Sequence, residues 1–240
     1  MKIAVLLAGS GVYDGSEIHE AVFTLLALEE FGVEAVCIAP NEPQHHVVNH
    51  LTGEEMEEER NVLVEAARIA RGAVHDLATI QVDDFDGLVI PGGFGAAKNL
   101  NKWALEGPAG AIKPAVQQLI IDFVKAGKPL AGLCMGPTVI AKALQGAGIF
   151  ASLTVGTTEA PSPYDIEGIS QGMGDIGAMI TMATVEEVIV DYTNKIVTAP
   201  CYMMEATILQ VRENIAMAIG ELIALIVGEA PLDDQDSANS

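Results

Sequence analysis

The sequence is poor in basic residues, with 12 lysines and arginines against 33 aspartates and glutamates and a net charge of −21. Proteins that bind nucleic acid or anionic membranes use lysine and arginine to neutralise phosphates. A surface with such an acidic excess repels both kinds of partner and favours solubility. The charge balance therefore predicts no nucleic-acid partner and no membrane partner.

Long apolar runs and paired cysteines are also missing. A membrane-spanning helix needs about 18 or more consecutive apolar residues, but the longest candidate, Ile215–Val227, is shorter and contains Glu221. The apolar start, Lys2–Ala8, is about half as long as the core of a signal peptide. The three cysteines are widely spaced and form no C-x-x-C motif, which is typical of a reducing compartment. We therefore expect a cytoplasmic protein.

What the sequence does contain is an alternation of apolar segments with segments of helical periodicity. Wholly apolar strands separated by helices indicate a mostly parallel sheet covered on both faces. The segment Glu186–Pro200 instead predicts a small β-hairpin excursion that turns at Thr193 and Asn194. The fold class is therefore α/β. Strands are predicted at 2–8, 34–40, within 86–95 and at 129–133, and helices at 16–32, 61–72, 115–129, 137–148 and 206–228.

No internal repeat or linker divides the chain, and 240 residues suit one α/β domain. We expect that domain to cover residues 1–229 and the polar segment 230–240 to be a disordered tail. Residues 151–187 are rich in Gly, Ser, Thr and Pro and are predicted to form a peripheral excursion. The acidic stretch 41–60 is predicted to be a solvated loop.

The clearest candidate for chemistry is Cys134, in the stretch PLAGLCMGPTVIAKAL at 129–144. A sharp corner between a strand and a helix directs one side chain outward at the top of the sheet. The helix N-terminus favours the thiolate, which lowers the pKa of the thiol. The backbone N–H of Met135 would face a developing oxyanion. The alternative is a buried cysteine that only packs, but the G-x-C-x-G spacing favours a reactive residue.

The first predicted helix carries two candidate acids, in the stretch GVYDGSEIHEA at 11–21. Asp14 and Glu17 have the spacing of a capping box, which explains Glu17 structurally. Glu20 has no such explanation. It lies near the carboxyl edge of the sheet, where its carboxyl group could reach Cys134 and move a proton. The alternative is an ordinary first-turn acid that interacts with the helix dipole.

Gly92 and Gly93 follow the third predicted strand, in VIPGGFGAAKN. Their N–H groups could complete an oxyanion hole, although a tight turn alone would also require glycine. The earlier stretch GSGVYDG has the spacing G-x-G-x-x-x-G, and the second strand ends without the acid that binds ribose. A nucleotide site is therefore not predicted.

Three histidines and one further cysteine are weaker candidates. His45, His46 and His50 lie in the acidic loop, but adjacent histidines point apart, and a metal site is not predicted. Cys201 follows a strand without an obvious base beside it, which favours a packing role. The sequence leaves the roles of Cys201 and of this histidine loop open.

Four motifs occur in order along residues 2–228: GSGVYDGSEIHEAVFTLLAL, VVNHLTGEEMEEERNVLVEAARIARG, PGGFGAAKNL and GLCMGPTVIAKAL. Together they resemble the PfpI and parkinsonism-protein superfamily, and within it the enhancing-lycopene-biosynthesis (ElbB) branch. The resemblance implies a class I glutamine amidotransferase-like domain with a flavodoxin-like three-layer sandwich. It also implies a homodimer.

The resemblance further implies an active site. Cys134 would be the nucleophile, with Glu20 as its carboxylate partner and Glu17 one turn earlier. Gly93 and Met135 would supply the oxyanion hole. The implied activity is a cofactor-independent glyoxalase that converts glyoxal or methylglyoxal and water to a hydroxy acid without metal or glutathione.

The sequence departs from the superfamily at two places. Protease-like members carry histidine directly after the nucleophile, where this chain has Met135. Glutaminase members carry a histidine near a late proline, where this chain reads APCYMMEA. Proteolysis and glutamine hydrolysis are therefore not expected, and His19 is the only histidine near the motifs. The alternative to catalysis is a regulatory protein in which Cys134 senses oxidation.

Overall fold

The computed structural model describes residues 1–228 and contains a central sheet of seven strands. The strand order is β10-β11-β7-β6-β1-β2-β5, and every neighbouring pair is parallel except β10 with β11. The predicted α/β fold with a mostly parallel sheet is confirmed. The strands of this sheet are β1 (Lys2–Leu6), β2 (Glu34–Ala39), β5 (Val74–Asp76), β6 (Gly87–Ile90), β7 (Leu130–Leu133), β10 (Ile189–Asp191) and β11 (Ile196–Ala199).

Helices cover both faces of the sheet. On one side the first helix packs against the second and against the last, and on the other side the fourth packs against the fifth. This arrangement makes the three layers that the resemblance implies. No helix within residues 1–228 has both the length and the apolar character that a membrane crossing requires. The helices are α1 (Ile18–Glu30), α2 (Val62–Ile69), α3 (Trp103–Glu106), α4 (Pro114–Lys125), α5 (Gly136–Leu144), α6 (Ile166–Asp175) and α7 (Ile208–Val227).

The predicted hairpin forms, but it belongs to the main sheet and is not an excursion from it. Strand β11 pairs in parallel with β7 and antiparallel with β10, which lies at the sheet edge. The acidic loop contains the short antiparallel pair β3 (Val47–Val48) and β4 (Glu55–Met56). The excursion at 151–187 contains α6 and a parallel pair, β8 (Ser152–Leu153) and β9 (Met179–Ile180). The predicted tail at 230–240 lies outside the described residues, and the single domain stays a prediction.

The chain turns sharply where three neighbouring strands end at the same edge. Gly93 follows β6 with a φ of 92°, Cys134 follows β7 with a φ of 55°, and Cys201 follows β11 with a φ of 49°. A positive φ is uncommon for residues other than glycine and costs about 1–3 kcal/mol. The fold therefore accepts strained backbone at two cysteines of one sheet edge.

The loop after β1 and the loop after β6 are joined by backbone hydrogen bonds. The N–H of Gly95 donates to the carbonyl of Gly15 at 2.8 Å, and the N–H of Glu17 donates to the carbonyl of Gly92 at 3.0 Å. A Cβ on Gly95 would lie 2.5 Å from the carbonyl carbon of Gly15. Only glycine permits this approach, which brings the start of α1 against the end of β6.

A substitution at Phe123 tests how much core packing contributes to the free energy of unfolding. Its side chain on α4 is 0% exposed, whereas Phe150 is 64% exposed. Phe123→Ala should lower the free energy of unfolding by about 3–5 kcal/mol, because it removes buried surface and leaves a cavity. The matched variant Phe150→Ala should change it by less than about 0.5 kcal/mol. Chemical denaturation measures both values, and equal losses would contradict the described packing.

Candidate active site

Cys134 occupies the corner between β7 and α5, as the sequence predicts. Its N–H donates to the carbonyl of Ala199 on β11 at 2.9 Å, which continues the strand ladder by one bond. The chain then turns through the positive φ of Cys134, and α5 begins at Gly136. Contrary to the expectation of an outward-directed thiol, Cys134 is only 5% exposed.

Gly92 determines how closely the thiol and the acid approach each other. A Cβ at this position would lie 2.5 Å from Oε2 of Glu20 and 2.8 Å from Sγ of Cys134, and would overlap the Cβ of Cys134. Any side chain at residue 92 would therefore displace both groups. Glycine leaves the thiol and the carboxyl group as neighbours around the same point.

Glu20 is 0% exposed and lies in the first turn of α1. Its Oε2 accepts a hydrogen bond from the N–H of Gly92 at 3.1 Å. Its Oε1 accepts one from the N–H of Tyr202 at 3.2 Å. The carboxyl group thus contacts the loop after β6 and the turn after β11, and the structure brings it beside Cys134 as the sequence predicts.

The surroundings of Glu20 favour its protonated form. Burial is the largest cause and the charge of Glu17 is the second, and together they raise the pKa of the Glu20 carboxyl group to about 8. The N–H groups of Tyr202 and Gly92 and the thiol of Cys134 act in the opposite direction. A carboxyl group with such a pKa can exchange a proton near neutral pH, as general acid–base catalysis requires.

The prediction that the Cys134 thiol has a low pKa is wrong, because the thiol is buried. Burial raises the pKa of the Cys134 thiol, and the neighbouring Glu20 and Cys201 raise it further. The N–H of Gly93 favours the thiolate but does not compensate for these effects. The helix start predicted from sequence is present, but desolvation and a nearby acid outweigh it. The thiol of Cys134 therefore holds its proton more tightly than a free cysteine does.

Glu17 has a structural role that differs from the predicted one. It is the N-cap of α1, and its Oε2 accepts the N–H of Glu20 at 2.7 Å. The proposed capping box is wrong, because the helix begins after Glu17 and Oδ2 of Asp14 instead accepts the N–H of Val48 at 2.8 Å. Burial raises the pKa of Glu17. Glu17 thus acts on Glu20 through charge and helix geometry.

The predicted oxyanion donors lie in different positions relative to the thiol. The N–H of Gly93 is directed at the sulfur of Cys134, with the backbone of Gly93 in the left-handed region. The N–H of Met135 precedes the first turn of α5, where the amide groups of a helix lack partners within the helix. The N–H of Gly92, a third candidate, already donates to Glu20. The assignment of Gly93 and Met135 as oxyanion donors stays a prediction.

The sequence did not single out two tyrosines that border the site. Tyr202 donates its N–H to Glu20, and its hydroxyl lies 2.9 Å from Nδ1 of His19. Tyr164 packs edge-on against Phe94, with 5.7 Å between ring centroids. Burial raises the pKa of Tyr164 to about 12, and the charges of Cys134 and Glu20 contribute. Tyr202 could have been found as the neighbour of Cys201 after a strand, but Tyr164 lies in a segment without a periodic signal.

The histidine loop forms contacts with lysines and backbone. Nε2 of His46 lies 3.0 Å from Nζ of Lys98, and Nε2 of His50 accepts the N–H of Tyr13 at 3.2 Å. Nδ1 of His45 lies 3.3 Å from Nζ of Lys102. A ring nitrogen that accepts a hydrogen bond has no lone pair left for a metal ion. These contacts give the histidines a structural function in holding the loop.

The family described as DJ-1/PfpI matches residues 1–151, which is more than half of the chain. The chain belongs to the DJ-1/PfpI family. The DJ-1/PfpI match and the fold confirm the superfamily predicted from the motifs.

Individual DJ-1/PfpI relatives resemble this chain over most of its length. It is 38% identical over 226 residues to the human glutamine amidotransferase-like class 1 domain-containing protein 3, mitochondrial, covering 93% of this chain and 83% of the relative. The rat mitochondrial ES1 protein homolog is 37% identical over 226 residues, covering 93% and 84%. The crystal structure of an Ehrlichia chaffeensis isoprenoid biosynthesis protein with an amidotransferase-like domain superposes with a TM-score of 0.85 and 33% identity, covering 94% and 99%. This last similarity supports the predicted ElbB branch.

The expected cytoplasmic location is contradicted by these relatives, since the names of the human and rat proteins describe both as mitochondrial. A reducing compartment was inferred from cysteine spacing, which does not distinguish one reducing compartment from another. Membership of the DJ-1/PfpI family supports an enzymatic or regulatory role. None of these names specifies a glyoxalase.

The raised pKa of Glu20 predicts a pH-dependent stability. A carboxyl group whose pKa rises on folding stabilises the folded state fully below its unfolded pKa, near 4.5, and loses that contribution as the pH rises towards about 8. Compared with Glu20→Gln, the wild type should therefore lose free energy of unfolding between these pH values. The slope should be at most about 1.4 kcal/mol per pH unit.

Chemical denaturation at several pH values measures this difference. Glu29→Gln is the matched control, because Glu29 is an exposed glutamate on the same helix. The control should follow the wild-type pH profile. Parallel profiles for the wild type and Glu20→Gln would show that Glu20 does not bind its proton more tightly in the folded protein.

Proposed function

We propose that this protein is a cofactor-independent glyoxalase that converts glyoxal or methylglyoxal and water to the corresponding hydroxy acid. The single observation that carries the proposal is the juxtaposition of the Cys134 thiol and the Glu20 carboxyl group around Gly92. A nucleophile and a proton carrier in contact are the two groups that this conversion needs. Glu20 has a pKa of about 8, which suits repeated gain and loss of a proton.

The first half of the reaction forms a covalent adduct. Glu20 accepts the thiol proton as the sulfur of Cys134 attacks the aldehyde carbon, which forms a carbon–sulfur bond. The carbonyl oxygen becomes an oxyanion, which the N–H groups of Gly93 and Met135 would stabilise. Return of the proton to that oxygen gives a hemithioacetal with its ketone or second aldehyde group intact.

The second half moves a hydrogen between two carbons and releases the product. Glu20 takes the proton from the carbon bonded to sulfur, and the electrons move to the adjacent carbonyl oxygen to give an enediolate. Glu20 then delivers that proton to the adjacent carbon, and the hydroxyl proton on the carbon bonded to sulfur passes to the other oxygen as the carbonyl of the thioester forms. Water then attacks the thioester, the carbon–sulfur bond breaks, and Cys134 recovers its proton. No electrons are exchanged with an external group.

A regulatory function in which Cys134 responds to oxidants is the second proposal. The observation that favours it is a second buried cysteine, Cys201, which follows the neighbouring strand at the same sheet edge as Cys134. A small oxidant needs less room at the sulfur than an aldehyde that must also contact Glu20. Both functions use the same thiol and differ in the reagent that reaches it.

Aldehyde consumption by purified variants tests the catalytic proposal. Wild-type protein should consume methylglyoxal and form lactate, and Cys134→Ser should fall to the uncatalysed rate. Glu20→Gln should lower kcat about 100- to 10,000-fold, because proton transfer by the carboxyl group is lost. The control Glu29→Gln should leave kcat unchanged. Wild-type consumption no faster than that of Cys134→Ser would refute a glyoxalase function.

A further inference from the structure

Cys201 resembles Cys134 in ways that a packing role does not explain. It follows β11 just as Cys134 follows β7, and it is fully buried. Its φ of 49° puts a non-glycine residue in the left-handed region. Strain of this kind at a buried position persists only where the surroundings impose it, and it is concentrated at functional sites.

The buried side-chain amide of Asn214 holds the strained backbone of Cys201 in place. The N–H of Cys201 donates to Oδ1 of Asn214 at 3.0 Å. Nδ2 of Asn214 donates in turn to the carbonyl of Glu187 at 2.8 Å, and Asn214 is 0% exposed on α7. Hence a side chain in the core holds Cys201 at the sheet edge.

The strand register brings the two cysteines together. Leu133 lies opposite Ala199 in the parallel pair of β7 and β11, so Cys201 comes one residue beyond the residue opposite Cys134. The N–H of Cys134 donates to the carbonyl of Ala199, two residues before Cys201, at 2.9 Å, so the two cysteines lie at the ends of paired strands about 4.8 Å apart. Disulfides join Cα atoms about 4.4–6.8 Å apart.

The pKa shifts of the two thiols are consistent with this strand register. Cys201 is close enough to Cys134 to contribute to the raised pKa of its thiol. The charge of Glu20 raises the pKa of both thiols. Its Oε1 also accepts the N–H of Tyr202, the residue after Cys201. Two thiols and one proton carrier therefore meet at the ends of β7 and β11.

We propose that Cys134 and Cys201 form a reversible intramolecular disulfide after Cys134 reacts with a hydroperoxide. This inference extends the proposed redox function and does not depend on aldehyde conversion. It also gives Cys201 the part of a resolving thiol, in place of the packing role that the sequence favoured.

The chemistry proceeds in two steps. Glu20 accepts the thiol proton of Cys134 as the sulfur attacks the hydroperoxide and the oxygen–oxygen bond breaks, and the departing alkoxide or hydroxide takes that proton from Glu20, which gives a sulfenic acid and an alcohol or water. Cys201 then transfers its proton to Glu20, and its sulfur attacks the sulfur of Cys134. The sulfur–oxygen bond breaks and the departing hydroxide takes a proton to become water. The two thiols supply the two electrons that the hydroperoxide accepts, and an external dithiol reduces the disulfide by exchange.

Peptide mapping by mass spectrometry tests the proposal on the full chain after exposure to a small molar excess of hydrogen peroxide. The wild type should lose two hydrogens in mass and give one linked peptide pair containing residues 134 and 201. Dithiothreitol should reverse both changes. Cys37→Ser is the matched control, because Cys37 is a buried cysteine on β2, and it should form the same link as the wild type.

Cys201→Ser should lose the linked peptide and accumulate the sulfinic acid of Cys134. Cys201→Ala and a circular dichroism spectrum of each variant distinguish loss of the linked peptide from unfolding. The link in the wild type is measured without any substitution. Sulfinic acid formation in the wild type as rapid as in Cys201→Ser would overturn the proposal. An unreactive Cys134, or a link found only between two chains, would overturn it as well. Methylglyoxal consumption measured in parallel shows separately whether the glyoxalase proposal holds.

Discussion

The buried carboxyl group of Glu20 connects three parts of the sheet edge that are far apart in the chain. It leaves the first turn of α1 and accepts N–H groups from Gly92, after β6, and Tyr202, after β11. Cys134, after β7, lies beside it around the same glycine. A buried polar group without partners is costly, so each of these segments must keep its position for Glu20 to remain satisfied.

The same burial determines the electrostatics of the site. Desolvation penalises charge on the acid and on the thiol, and each charged group would further disfavour the other. Both groups therefore keep their protons more tightly than in water. The pair can release one proton more easily than two. Such a site does not hold a permanent thiolate.

This arrangement explains how one pair of residues suits two different reactions. An aldehyde needs a sulfur that attacks carbon and an acid that moves a proton between adjacent carbons. A hydroperoxide needs only the sulfur, and the outcome then depends on what lies next to it. In the second proposal that neighbour is the thiol of Cys201, whose strained turn lies at the same sheet edge. The departure from the superfamily at Met135 removes a histidine, so in both proposals Glu20 is the residue that carries the proton.

Much of the fold and part of the site could be predicted from local sequence patterns. Apolar strands alternating with amphipathic helices were sufficient for the parallel sheet, and the G-x-C-x-G spacing was sufficient for the turn at Cys134. Predictions from local patterns were wrong where a residue's hydrogen-bond partner is distant in the sequence. Asp14 has the spacing of a capping residue, yet it bonds to Val48 and leaves the cap to Glu17.

The sequence by itself determined the α/β class and the family, and it singled out Cys134 and Glu20 as candidates, because these depend on periodicity and on motifs of adjacent residues. Only the tertiary structure decided that the thiol of Cys134 is buried with a raised pKa, since desolvation depends on everything packed around the group. Only the parallel pairing of β7 with β11 brings Cys201, 67 positions further along (201 − 134), next to Cys134. Which two distant strands become neighbours depends on the packing of the whole sheet, and a local pattern within either strand does not contain that information.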